Sequence, residues 1–175
     1  MLPSGHALLL PAKTGFIWGS LFVALFANML IHMLLAGNAP WVPDLLAITL
    51  VFWTVHQPRR IGIVAAFVMG LLLDVHQGSL LGQHALAYAV LSYLGILIHR
   101  RLLWFTLREQ SLQVLPLFVV AHALQLLVRW MAGDGWPGLG LLAAPLIEAL
   151  VWPIATYMLL APQRRAHDPD ENRPL

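Results

Sequence analysis

Cysteine is absent from the 175 residues of this chain, which excludes disulfides, thiolate metal sites and a cysteine nucleophile. Charge is nearly as scarce. Asp, Glu, Lys and Arg make up 10% of the residues, against about 25% in a typical soluble domain. With 59% of the chain hydrophobic, there is too little charge to cover a core, so the surface must face lipid. The chain reads as an integral membrane protein. A cleaved signal peptide is not expected either. Lys13 precedes an apolar run over 16–35, longer than the roughly 7–15 residues of a signal h-region. No internal repeat is convincing enough to indicate an inverted-repeat transporter.

What is present is a series of six apolar segments, at about 16–36, 41–56, 60–76, 80–98, 112–131 and 139–160. Turn formers separate them, such as Gly37-Asn38-Ala39-Pro40 and the run from Gly133 to Gly138. The expected fold is an all-α membrane protein, six transmembrane helices in one bundle over 1–161, with a charged, disordered tail over 162–175. Pro116 falls in the first turns of the fifth segment, and Pro145 and Pro153 are expected to kink the sixth. The second and third segments are shorter than the ~20 residues of a perpendicular crossing. One re-entrant hairpin would place Arg59 and Arg60 near mid-bilayer, at about 2.5–3.5 kcal/mol each. Two full crossings put them in the water interface and are preferred.

Basic residues set the orientation. Lys13, Arg59, Arg60, Arg100, Arg101, Arg108, Arg164, Arg165 and Arg173 fall on one side, and Arg129 alone on the other. Arg59, Arg60, Arg100 and Arg101 are the topology markers, and they place both termini in the cytoplasm. These short clusters between apolar runs, despite a net charge of +2, indicate topology signals and no nucleic-acid partner. Tryptophans fit interfacial belts, with Trp41, Trp130 and Trp136 at outer ends and Trp18, Trp53 and Trp104 at inner ones. Trp152 is expected to pack inside the sixth segment.

The candidate structural or partner-contact residues are Asp44, Asp74, Arg129, Glu148, Gly78 and Gly82. Asp44 follows Pro43 at the start of the second segment, where a carboxylate caps a helix and meets a favourable dipole. Asp74 lies at a helix C-terminus, where the dipole disfavours an anion. It therefore needs a partner, and Arg129 is the expected one, with Asp44 as competing acceptor. Glu148, about ten residues into the sixth segment, is expected to make a polar contact between helices. Gly78 and Gly82 let the chain turn and enter the fourth helix with close backbone approach. Gly62, Ala65, Ala66 and Gly70 make a small-residue face, expected to pack within the bundle. His32, His56 and His122 are expected to hydrogen-bond between helices. Asp74, His76 and His84 match no zinc spacing, and Ser79 is not followed by the glycine of a nucleophile elbow. No metal, cofactor or catalytic residue is expected.

The order of these polar marks resembles the MreD family of rod shape-determining proteins. The likeness lies in Pro43-Asp44-Leu45, Pro58-Arg59-Arg60-Ile61-Gly62, Gly70-Leu71-Leu72-Leu73-Asp74, the run from Gly78 to Tyr88, and His99-Arg100-Arg101-Leu102. It is dense over 43–101. The resemblance implies a non-enzymatic scaffold in the bacterial inner membrane, part of the elongasome that supports peptidoglycan synthesis and cell shape. Its implied partners are MreC, then RodA and the elongation penicillin-binding protein through MreC, and the MreB filament indirectly. The family is also similar in fold to the substrate-binding subunits of energy-coupling-factor transporters. That kinship supplies the alternative, a small-solute-binding subunit of a vitamin-type transporter.

Overall fold

The computed structural model describes residues 12–35, 41–133 and 138–163. They form six α-helices: α1 (Thr14–Leu34), α2 (Leu45–His56), α3 (Ile63–Gln77), α4 (Gln83–Leu102), α5 (Leu107–Met131) and α6 (Ala143–Leu160). Short 3₁₀ turns at Leu139–Leu142 and Ala161–Gln163 flank α6. No strand occurs among the described residues. Trp136 and the tail from 164 onward, with its three arginines, lie outside them.

The core is built around α2, because residues 46–55 are all buried. A helix that is apolar around its whole circumference must be covered on every side. Here α1, α4 and α6 provide the cover, while α3 packs on α4, α4 on α5, and α5 on α6. The outer helices are one-sided. In α1, Ile17, Leu21, Ala24, Leu25 and Asn28 face inward at helical spacing, while Phe22, Val23, Phe26, Leu30 and Met33 are exposed. An exposed face that apolar suits hydrocarbon and not water.

Four stretches are long and apolar enough to cross a membrane: α1, α4, α5 and Gly140–Gln163. The other two helices have 12 and 15 residues, a rise of about 18 and 22 Å. The link between α4 and α5 is shorter than the polar stretch 99–110 suggests. Thr106 starts α5 early, in a capping box whose Glu109 carboxylate accepts from the Thr106 N–H at 2.9 Å. In consequence Pro116 lies well inside α5 and not in its first turns.

Two elements of the end that carries the arginine pair are tied together. The Arg60 guanidinium donates to the Ala12 carbonyl at 2.6 Å, joining the α2–α3 bend to the start of α1. Trp53, expected in an interfacial belt, is instead fully buried. Its indole N–H donates to Ser20 at 2.7 Å, and its ring packs edge-on against Phe16 and Phe52. Trp152 is a packing residue, buried against Phe52 and donating to Gln110 at 3.2 Å. Trp18, Trp41, Trp104 and Trp130 are exposed.

Of the small-residue face, Ala66 and Gly70 are buried. A Cβ added at Gly70 would stand 2.4 Å from the Ala85 Cα in α4, so the two backbones touch there. At Gly19 in α1 the same addition meets nothing within 4 Å. Gly70→Ala should therefore lower the thermal unfolding midpoint of detergent-purified protein, by an overpacking cost of about 1–3 kcal/mol. Gly19→Ala should leave it unchanged or raise it slightly. Equal effects would show that α3 and α4 can separate at no cost.

Candidate functional site

The polar residues gather at the end opposite the arginine pair, around the N-termini of α2 and α4. A helix begins with N–H groups that have no partner within the helix, and in an apolar setting each needs an acceptor from the protein. Asp44 is the N-cap of α2 and accepts from the Ala47 N–H at 2.9 Å. Asn28, from α1, accepts from the Leu45 N–H at 2.9 Å and donates its amide to Asp44. Glu148, from α6, accepts from the Asp44 N–H at 2.9 Å. Tyr88, from α4, donates its hydroxyl to the second Asp44 oxygen. Asp44 thus holds α1, α2 and α4 together, and its own backbone is held by α6.

His122 brings in the fifth helix of this group. Its Nδ1 lies 3.0 Å from the Phe118 carbonyl; a carbonyl only accepts, so Nδ1 carries the proton. That leaves Nε2 toward Glu148 Oε1, at 3.5 Å. The other Glu148 oxygen is buried with no hydrogen-bond partner among the described residues. Glu148 is a contact between helices, α6 to α2 and α5.

Asp74 solves the same problem for α4. One of its oxygens accepts from the Ser79 hydroxyl at 3.0 Å, the His84 N–H at 2.9 Å and His84 Nδ1 at 2.7 Å. The other accepts from the Gly82 N–H at 2.9 Å and the Ala85 N–H at 3.3 Å. A side chain at the end of α3 therefore caps the start of α4. The positive end of the α4 dipole offsets the unfavourable one of α3. The partner expected for Asp74 was Arg129; His84 and three backbone N–H groups take that place. Arg129 sits half-buried in the last turn of α5 and is not among the groups on Asp74. Nor is it a donor to Asp44, which is taken by Asn28, Ala47 and Tyr88.

Gly78 and Gly82 make this cap possible. Both have positive φ, 61° and 101°, a region that suits glycine. They reverse the chain so that Asp74 faces the start of α4. Close backbone approach, expected at these two glycines, occurs instead at Gly70, since nothing lies within 4 Å of an added Cβ at either. Ser79 donates to Asp74 and not to His84, so no hydroxyl–imidazole contact of a hydrolase is made. His56, expected to bond between helices, bonds and stacks within α2, on the Phe52 carbonyl at 2.9 Å and the Phe52 ring.

Asn28 and Tyr88 were not among the expected site residues. Asn28 had a visible signal, an amide inside an otherwise apolar run. Tyr88 entered only as the end of the run from Gly78 that carries the family likeness, since by itself a tyrosine in an apolar helix reads as core.

The family described as rod shape-determining protein MreD matches residues 12–134. The chain belongs to the MreD family. Its sequence is 30% identical over 138 residues to the rod shape-determining protein MreD of Haemophilus influenzae, an alignment covering 73% of this chain and 82% of the relative. No solved structure matches the chain, and the likeness to transporter subunits gains no support. Membership of the MreD family connects the chain with rod shape determination. The matched span holds Asn28, Asp44, Asp74, His84, Tyr88 and His122, and stops short of Glu148.

The geometry makes Asp44 a shared acceptor. Asp44→Ala strands the Asn28, Ala47 and Tyr88 donors, at about 1–3 kcal/mol each. Tyr88→Phe removes one donor and should cost about 1 kcal/mol. In urea or thermal unfolding the double variant should cost less than the sum, by about 0.5–3 kcal/mol. Simple additivity would mean the Tyr88–Asp44 bond carries no energy.

Proposed function

We propose that this chain is a non-enzymatic membrane scaffold of the rod-shape machinery. It crosses the inner membrane six times with both termini in the cytoplasm, and it binds MreC. Through MreC it stands beside RodA and the elongation penicillin-binding protein, with the MreB filament an indirect partner. The observation that carries this reading is the family match over 12–134. It is supported by how the polar groups are used. The Asp44 and Asp74 carboxylates are spent on N–H groups of the protein's own helices, which favours a rigid packing unit over a site open to solute.

Six crossings are compatible with two helices shorter than a perpendicular span. The N-terminus of α2 is capped by side chains and covered by neighbouring helices, so it need not reach the headgroups to satisfy its backbone. The bond from Arg60 to Ala12 supports a common side for the start of α1 and the α2–α3 bend. Phosphatase fusions at the bend, and after Gln163, should be inactive, while a fusion after Gly133 should be active. An active fusion at the bend would overturn the topology.

The functional test is complementation in a rod-shaped bacterium depleted of its own MreD-family protein. The wild-type chain should restore rods and co-purify MreC from mild detergent. Asp74→Ala should leave the cells round, since α3 and α4 lose their joint cap. Rods restored without any MreC association would remove the scaffold reading.

A further inference from the structure

The end of the molecule that carries α4's C-terminus and α5's N-terminus is charged and outward-facing. Arg100 and Arg101 lie in the last turn of α4, Arg108 in the first turn of α5, and all three are exposed. Between them Leu103 to Thr106 form a short link in which Trp104 is 91% exposed, the highest value of any large apolar side chain described. Leu103 and Leu107 flank it, also exposed. The one acid nearby, Glu109, is engaged by the Thr106 N–H in the capping box. Among the described residues no carboxylate forms an ion pair with any of the three arginines.

We propose that this link is a binding site for anionic phospholipid headgroups. Three features converge on that ligand. α4 and α5 are both long enough to cross a bilayer, so the link between them lies at headgroup depth. An indole there sits with its ring in the interface and its N–H toward water. Guanidinium groups bind phosphate through paired N–H donors, and these three, unlike Arg60 with its Ala12 carbonyl, have no acceptor of their own among the described residues. An acidic segment of a soluble partner would satisfy the arginines but would leave Trp104, Leu103 and Leu107 in water. The apolar tip set among cations fits a lipid surface better. The arginines thus do more than orient the chain; they hold a particular class of lipid at the α4–α5 end.

The test uses the full chain in nanodiscs of phosphatidylglycerol or of phosphatidylcholine with the same acyl chains. The chain lacks cysteine, so Leu103→Cys accepts a single environment-sensitive fluorophore beside Trp104. Native mass spectrometry of the unmodified protein from mixed micelles should show phosphatidylglycerol retained in preference to phosphatidylcholine. Replacing Arg100, Arg101 and Arg108 together with Gln should reduce that preference about 100-fold, from about five-fold per arginine. The triple Lys variant, which keeps charge and orientation, should keep part of it. The fluorophore should shift to the blue in phosphatidylglycerol discs relative to phosphatidylcholine ones. Equal retention of the two lipids by the unmodified protein would overturn the proposal, and that reading needs no variant to fold. It would also be overturned by displacement of the lipid by millimolar inorganic phosphate, or by an acidic peptide that abolishes the preference.

Discussion

A helix that begins inside an apolar environment must take its first N–H acceptors from the protein, and this requirement governs the polar half of the molecule. The helix α2 is buried along nearly its whole length, and water cannot serve its N-terminus as it would at a surface. Asp44 supplies one acceptor from the chain itself, Asn28 another from α1, and Glu148 a third from α6. The helix α4 meets the same need through Asp74 on its neighbour α3. Among the described residues, each carboxylate at this end of the bundle (Asp44, Asp74 and Glu148) accepts from a backbone N–H at a helix start.

The caps couple helices that are distant in sequence. The Asp44 N–H reaches Glu148, 104 residues away, and Tyr88 reaches Asp44 from α4. Ridges of side chains seated in grooves already resist sliding of α1, α4 and α6 along α2. Directional bonds at one level fix their height. Toward the other end, Trp53 to Ser20 and Trp152 to Gln110 do the same for α2 with α1 and α6 with α5. The bundle is pinned at two depths, and the apolar core between them needs only to fill space. The second oxygen of Glu148 is buried without a partner among the described residues, as are the hydroxyls of Ser92 and Thr156.

Composition and hydrophobic segments made the helical membrane class legible, and the turn formers placed most helix ends within a few residues. Asp44 as a helix cap was legible because the Pro-Asp step before an apolar run has a local cause. Asp74 was half legible. Its unfavourable position at the end of α3 demands a compensating group, and charge alone points to Arg129. The answer was a second helix dipole, visible in the chain only as a glycine-bounded link, Gly78 to Gly82, too short to let α4 start anywhere else. The start of α5 was written in Thr106 and Glu109 as a capping box, and the polarity of the surrounding link hid it. Trp53 was misplaced because a tryptophan near a helix end has the same local signature whether it anchors at an interface or donates to a serine on a neighbouring helix. That distinction depends on which helix lies opposite, which one-dimensional spacing does not encode.

The two ends of the bundle use their charges in opposite directions, and this bears on how partners are met. Carboxylates turn inward and are consumed by helix N-termini, so they offer little to a second protein. Exposed arginines turn outward at the α4–α5 link. Between the ends, the outer surfaces of α1, α3 and α6 are apolar, with Phe26, Val64 and Leu150 among the exposed residues. Lipid tails solvate such faces as well as another helix does, so hydrophobicity alone drives no association there. The proposed binding of MreC through the membrane must then rest on shape, with a partner helix packing closely against one of these faces. A smooth face loses little when a single large side chain is trimmed, but it is sensitive to any change that tilts a helix. The capping network sets those tilts. On the proposed binding of MreC, substitutions at Asp44 or Asp74 would act on partner recognition through the orientation of the helices they hold.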